Sequence, residues 1–303
     1  MKIKHIVAGL SITFLSTFAW KIWQNPPSRP ALMNKEAFSV LTDWEHADLK
    51  LSFLAFRNSC KLFLKQNPEQ NVGNSRFSLK AKDWQPICHA AKYVNTYSKY
   101  HVRAFFQAWF KPVAVTGDKP ASGTFTGYYA ASVEGSPTKT DKYTFPVINH
   151  TKNDLTLAWV GSQKDLRTLI TEGSAVIHFT DGTTKAIEYI KGSGSSASFQ
   201  ETNDKQFHGA QDVTLTPGYS MAIDRQWIPL GTPLWLMTDV RQDFSKKAQP
   251  FKRLMIAQDI GSAIRGAVRG DMYWGPGHQA TKIASNIKNQ GSYWLLLPRT
   301  AKI

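Results

Sequence analysis

Three features of the 303-residue sequence predict a mainly β protein with helices at its front and one helix near its end. From Ser122 onward, short aromatic or β-branched runs alternate with turn residues, as strands do. Before that point apolar residues recur at helical intervals. Close to the C-terminus one more stretch returns to the helical period. With 42% apolar residues, including 17 Phe, 10 Trp and 10 Tyr, the chain can bury a sizeable core and is not a disordered one.

Taken in order, residues 1–36 are expected to lie outside the fold. Lys2 and Lys4 precede the apolar run IVAGLSITFLSTFAW (6–20). That run is short for a membrane span and suits a signal h-region or an uncleaved signal-anchor, so the protein is expected to be exported. Thr17 and Ala19 form a weak cleavage signal, and no cysteine directly follows the run to accept a lipid. QNPPSRPALMNKE (24–36) reads as a linker.

Thr42 and Glu45 have capping-box spacing, and Leu41, Trp44, Leu51 and Leu54 predict a helix reaching Lys65. A polar loop is expected at 66–78, then a second helical stretch from about 83 to 110, ending before Pro112. TFTGYYAASV, YTFPVIN and LTLAWV follow as strands. SAVIHF and TTKAIEYI pair as a hairpin around Asp181-Gly182. GSGSSAS (192–198) is a flexible loop. SMAID, PLWLM, LMIAQD and SYWLLLP are further strands. Ala280, Ile283, Ala284 and Ile287 share one helical face, with Gly291 assigned to the C′ position.

Cys60 and Cys88 stand 28 residues apart. In an exported chain they are expected to pair, and closing such a loop is worth about 3–4 kcal/mol in the chain-entropy model. Two buried thiols are the alternative. No CxxC exists, so zinc is not expected.

The net charge is +15, of which Lys2, Lys4, Lys21 and Arg29 supply four. A basic exported protein meets anionic envelope polymers, and the absence of any nucleic-acid module signature argues against a nucleic-acid partner.

The stretch richest in chemistry is AQDIGSAIRGAVRGDMYW (257–274). It lacks the GxxxxGK[ST] order of a phosphate loop and the ligand ladder of an EF-hand. Two aspartates without adjacent His or Glu make a poor metal site, so neither metal nor cofactor is expected. By pattern alone two readings stay open. One is a glycine-rich turn with aspartate caps. The other is an acid site in which Met272, Tyr273 and Trp274 shield Asp271 from water while Asp259 supports it.

Longer motifs bear on that choice. LTPGYSMAIDRQWIPLGTPLWL (215–236), LMIAQDIGSAIRGAVRGDMYWGPG (254–277) and NQGSYWLLLP (289–298), with FTGYYAAS (125–132) and FFQAWFKPV (105–113), resemble the membrane-bound lytic murein transglycosylase A family from about residue 40 to the end. The resemblance implies a double-psi β-barrel formed by residues 37–126 with 214–303, a second β-barrel-like domain inserted at 127–213, and a groove between them. It also implies cleavage of the β-1,4 bond between N-acetylmuramic acid and N-acetylglucosamine in peptidoglycan without water, leaving 1,6-anhydromuramyl ends. Asp271 falls at the family's single acid/base position. Asp259, Asp224 and Thr126 match its other polar motif positions. Gly127, Tyr128, Tyr129, Gln258, Gly261, Ser262, Ala263 and Tyr273 are the accompanying glycan-contact candidates.

The partners so implied are peptidoglycan strands and other envelope-remodelling proteins in the periplasm of a Gram-negative-type bacterium, with membrane contact only through the N-terminal segment. The inserted part departs most: the family's glutamine-glycine-serine-glycine turn appears as TEGSA (171–175). A non-catalytic peptidoglycan-binding or scaffolding protein is the alternative.

Overall fold

A computed structural model describes residues 35–116, 120–190, 197–202, 206–241 and 247–301. The apolar run 6–20 and most of the GSGSSAS loop lie outside the described residues. Among the described residues no helix is long and apolar enough to cross a membrane.

The front of the chain is helical: α1 (Lys35–Phe38), a 3-10 turn (Trp44–His46), α2 (Lys50–Phe63), α3 (Ala81–Ala91) and α4 (Lys99–Trp109). On α2, Phe53, Phe56, Cys60 and Phe63 recur three or four residues apart and are all buried. On α3, Ala81, Trp84, Cys88 and Ala91 do the same. The two faces meet: Trp84 stacks on Phe63 with ring centroids 4.8 Å apart. Cys60 and Cys88 are disulfide-bonded between the same helices.

Two predicted helices are broken where one was expected. The first does not run from Leu41, because Asp43 takes a left-handed φ of 64° and makes no side-chain cap. Asp43 instead bonds Lys252, and α2 starts afresh at Lys50. The second is split at residues 92–98, where Ser98 caps α4 by accepting from the His101 N–H.

The strands are β1 (Phe110–Val113), β2 (Gly123–Ser136), β3 (Phe145–Asn149), β4 (Leu155–Val160), β5 (Ser174–Phe179), β6 (Thr184–Tyr189), β7 (Phe199–Glu201), β8 (Ser220–Ile223), β9 (Pro233–Val240), β10 (Gln249–Ile260), β11 (Arg269–Pro276) and β12 (Lys288–Pro298). A helix α5 (Gln163–Glu172) lies between β4 and β5, and α6 (His278–Ser285) between β11 and β12. β12 pairs with β9, β9 with β10, β10 with β8, β8 with β11, β11 with β2, and β2 back to β12, closing a ring of six. The β10–β8 and β11–β2 pairs are parallel and the others antiparallel. This is the double-psi-type barrel, and closure leaves it without a free edge. The helical layer packs on it, with Trp44 edge-on to Trp235 at 5.2 Å.

β2 is 14 residues long and serves both sheets. It pairs with β11 as far as Ala130 and with β5 from Ala131. The second sheet, in the order β3–β4–β2–β5–β6–β7, encloses its own core of Val133, Val147, Val160, Leu169, Ile177 and Ile187. A small cluster that includes Ala130, Val176, Phe207 and Tyr273 packs residues of both sheets together.

α5 was not predicted, although Ser162 and Asp165 carry its cap and Gly173 ends it at φ 72°. Gly291 is not the C′ residue of α6; the helix ends at Asn286 and Gly291 lies inside β12. There a Cβ would stand 2.7 Å from the Met237 carbonyl oxygen, so close strand pairing demands the glycine.

Candidate active site

The barrel strands set the two aspartates in a row. Asp259 on β10 and Asp271 on β11 both stand opposite Ala222 on β8, one from each side. Thr126 on β2 stands opposite Asp271 on the next strand. Residues 269–276 are therefore a strand, and the loop between the aspartates is confined to residues 261–268.

Asp259 reaches its place through a bulge. Ala257 pairs with Met221 and Asp259 with Ala222, so Gln258 is the extra residue and the phase of the strand reverses across it. The Asp259 carboxylate is held on all sides: Oδ1 accepts from the Ala210 and Ile260 N–H groups at 2.8 and 2.9 Å. Oδ2 accepts from the Tyr128 hydroxyl at 2.9 Å. Burial, and then the Asp259 charge, push the Tyr128 phenol well above its ordinary pKa, so it stays a donor. Tyr128→Phe removes one of these donors; a loss of about 1–2 kcal/mol is expected, read as a lower Tm.

Asp271 is served differently. Its Oδ1 accepts from the Thr126 hydroxyl at 2.7 Å, and Thr126 Oγ1 accepts in turn from Arg269 Nη2 at 2.9 Å. Arg269 also donates to the Thr124 and Gly270 carbonyls, which fixes it along the strand. Burial raises the Asp271 pKa; the Thr126 hydrogen bond and the Arg269 charge pull it down, and the Asp259 charge pushes it up again. The net direction is upward. Three donors thus meet the Asp259 carboxylate, while the Thr126 hydroxyl meets one oxygen of Asp271. Among the described residues no group of three or more His, Cys, Asp or Glu side chains could hold a metal ion.

The remaining predicted contacts divide. Tyr129 is half-buried, and Ser262 and Ala263 are exposed beside the half-buried Gly261. Asp224 is buried and acts as a loop brace: Oδ2 accepts from the Gly266 N–H and Oδ1 from the Gln226 N–H. Gly266 has φ 109°, which suits glycine and lets its N–H turn to that carboxylate. A Cβ on Gly127 would meet the Ala284 Cα at 2.8 Å, so this glycine admits α6 against β2.

Two residues predicted to contact glycan face inward instead. Tyr273 is 1% exposed and packs its ring on Tyr128 at 5.2 Å. Gln258 is fully buried because the bulge sends its side chain toward α2, where it bonds the Ala55 carbonyl and Ser59. Arg269 was not predicted at all. Its adjacency to Asp271 through Thr126 appears only once β2 and β11 are paired.

A closed six-stranded barrel with two crossing parallel pairs, carrying two aspartates on the strands that flank β8, defines a double-psi-type barrel protein with a second sheet. Residues 219–297 match the family model for the 3D domain. The chain is 33% identical over 110 residues to the curated membrane-bound lytic murein transglycosylase A of Escherichia coli K12, a match covering 36% of this chain and 30% of that protein. The chain thus aligns with under a third of that relative's length.

Solved structures extend the likeness of fold to most of the chain. The membrane-bound lytic murein transglycosylase of Agrobacterium tumefaciens superposes with a TM-score of 0.71 at 20% identity, covering 86% of this chain and 96% of that one. The E. coli MltA structure with bound chitohexaose gives 0.55 at 18% identity, over 81% and 90%. The resemblance to the membrane-bound lytic murein transglycosylase A family holds in motif and in fold.

Proposed function

We propose that this protein is a lytic transglycosylase that cleaves the β-1,4 bond between N-acetylmuramic acid and N-acetylglucosamine in peptidoglycan. The observation that carries this reading is the unequal treatment of the two aspartates: three donors hold the Asp259 carboxylate, while burial raises the Asp271 pKa. Asp271 in its acid form donates to the glycosidic oxygen as that C–O bond breaks and charge develops on the muramyl C1. The resulting Asp271 carboxylate takes the proton of the muramyl 6-hydroxyl, whose oxygen bonds C1 and closes the anhydro ring. The proton returns to Asp271 and no water is consumed. Ordinary glycosidases need two carboxylates because water must be activated or a glycosyl-enzyme formed; an internal hydroxyl removes that need.

Thr126 and Arg269 orient Asp271, and Asp259 with Tyr128 shapes the floor beside it. Tyr129 and the 261–263 turn border the groove as glycan contacts; the E. coli relative's chitohexaose is a sugar chain of the same general kind. The insert expected at 127–213 is better begun at Ala131, where β2 changes partners. The N-terminal apolar segment directs export to the periplasm; the curated E. coli relative carries the name membrane-bound lytic murein transglycosylase A.

The test is mass spectrometry of sacculi digested by the purified protein. Anhydromuramyl ends are expected. Reducing muramic ends would make it a hydrolase, and binding without soluble product would make it a scaffolding protein.

A further inference from the structure

The segment that follows β8 forms one wall of a cavity that the mechanism above leaves unused. β8 ends at Ile223, which stands opposite Ile260 on β10 and Gly270 on β11. Residues 224–230 therefore leave the barrel at the end that carries Asp259 and Asp271. With the end of α2, the 66–76 loop and residues 210–211, this segment encloses about 760 Å³, a size that takes a small ligand. Ala210, whose N–H holds Asp259 Oδ1 at 2.8 Å, belongs to the wall, and Asp224, which braces Gly266, directly precedes the 225–230 segment. The cavity thus adjoins the aspartate row without including either aspartate.

Its two loops are fastened to each other. Asn74 Oδ1 accepts from the Arg76 and Phe77 N–H groups, and Asn74 Nδ2 donates to the Arg225 carbonyl at 3.2 Å. The walls are basic and rich in amides. Arg76 lays its guanidinium on the Trp227 ring, 3.5 Å from the centroid, which restrains a long side chain and presents its planar donor fork. Arg225 stands exposed on the other loop. Among the described residues neither guanidinium forms an ion pair with a carboxylate. Two wall residues also end in buried amide atoms, Gln66 Oε1 and Gln211 Nε2, with no hydrogen-bond partner among the described residues; Gln211 is 4% exposed. One spare acceptor and one spare donor are what the N–H and C=O of a peptide group would complete.

Resting on the lytic transglycosylase reading for its substrate, we infer that this cavity binds the carboxylate-bearing peptide that branches from the muramyl residues of peptidoglycan, with Arg76 and Arg225 receiving its carboxylates.

A guanidinium and a carboxylate make a charge-assisted, two-pronged pair, so two unpaired arginines favour an acidic ligand. A neutral N-acetylated sugar chain offers them nothing, and one face of Trp227 that could carry a sugar ring carries Arg76 instead. The muramyl residue bears both the peptide and the C1 whose bond is cut, which suits a peptide site adjoining the aspartate row.

Calorimetric titration of the full chain with free stem peptide, cut from sacculi at its amide link to the muramyl residue, tests this. Saturable binding is expected, weakened by added salt. Arg76→Gln and Arg225→Gln should each raise Kd about tenfold, and Arg225→Lys should recover part of the loss. The affinity for chitohexaose, which has no carboxylate, should be the same in all variants. The Arg225 contact that fastens the loops is made by its carbonyl, which glutamine keeps, so Arg225→Gln decides the matter alone if Arg76→Gln lowers Tm. Absence of peptide binding, or a Kd unmoved by Arg225→Gln, overturns the inference. A Kd for chitohexaose that rises together with that for the peptide also overturns it, and makes the cavity part of the glycan site. The titration needs no turnover: if wild-type protein releases no anhydro ends from sacculi, the lytic transglycosylase reading fails by itself, and the peptide titration still decides the cavity.

Discussion

Asp271→Asn should lower the release of anhydromuropeptides by at least about 100-fold, up to about 10,000-fold, at every pH. An amide can accept from Thr126 through its carbonyl oxygen, so the hydrogen bond at 2.7 Å survives while the transferable proton does not. The same substitution should leave the fold intact and raise Tm at neutral pH. The sign follows from linkage. The folded-state pKa of Asp271 lies above the unfolded carboxyl value, so the folded state holds this proton more tightly. That contribution is present below the unfolded value of about 3.9 and is lost as pH rises through the raised folded value. Above it, the wild type carries an ionised carboxylate in a partly buried row with Asp259. The amide carries none, so the Tm difference between mutant and wild type should shrink toward zero as the medium is acidified. A mutant that keeps turnover while folded would remove Asp271 from the chemistry. A mutant less stable at neutral pH would mean that the carboxylate is compensated in the folded state.

How far the site could be read in the sequence depended on which residues need partners to be understood. Asp271 and FTGYY carried their meaning in the order of the motifs. The strand that holds Asp271 did not, because its glycine resembles a turn residue. A Cβ on Gly270 would meet the Met221 sulfur at 2.6 Å, so the glycine answers to a neighbouring strand, which no local pattern reveals. Helical periodicity located the front helices, but Asp43 broke one of them, held by Lys252 209 residues away. α5 is the opposite case: Ser162, Asp165, Leu166, Leu169 and Gly173 carried a cap, a face and a stop, legible without any tertiary knowledge.

The bulge at Gln258 was least legible of all, and it leads to the second large expected effect. A motif position between Ala257 and Asp259 invites a glycan-contact role, yet Gln258 is fully buried and joins a continuous polar chain between barrel and helices. The Thr216 N–H donates to Ser220 Oγ at 2.7 Å, and the Ser220 hydroxyl donates to Gln258 Oε1 at 2.6 Å. Gln258 Nε2 donates to the Ala55 carbonyl and to Ser59 Oγ, each at 2.9 Å. The Ser59 hydroxyl closes the chain on Gln211 Oε1 at 2.7 Å. Gln258→Leu matches the volume but leaves the Ala55 carbonyl, Ser59 and Ser220 short of partners away from water. At about 1–3 kcal/mol for each stranded group, partly relieved by local rearrangement, a loss of about 3–5 kcal/mol is expected. Denaturant unfolding should show the fall in midpoint, while the fraction that remains folded at low temperature keeps the wild-type KM. An unchanged midpoint with a raised KM would return Gln258 to the glycan. The predicted outcome instead makes it the residue that fastens β10 to α2, so that the next residue, Asp259, is delivered to the row beside Asp271.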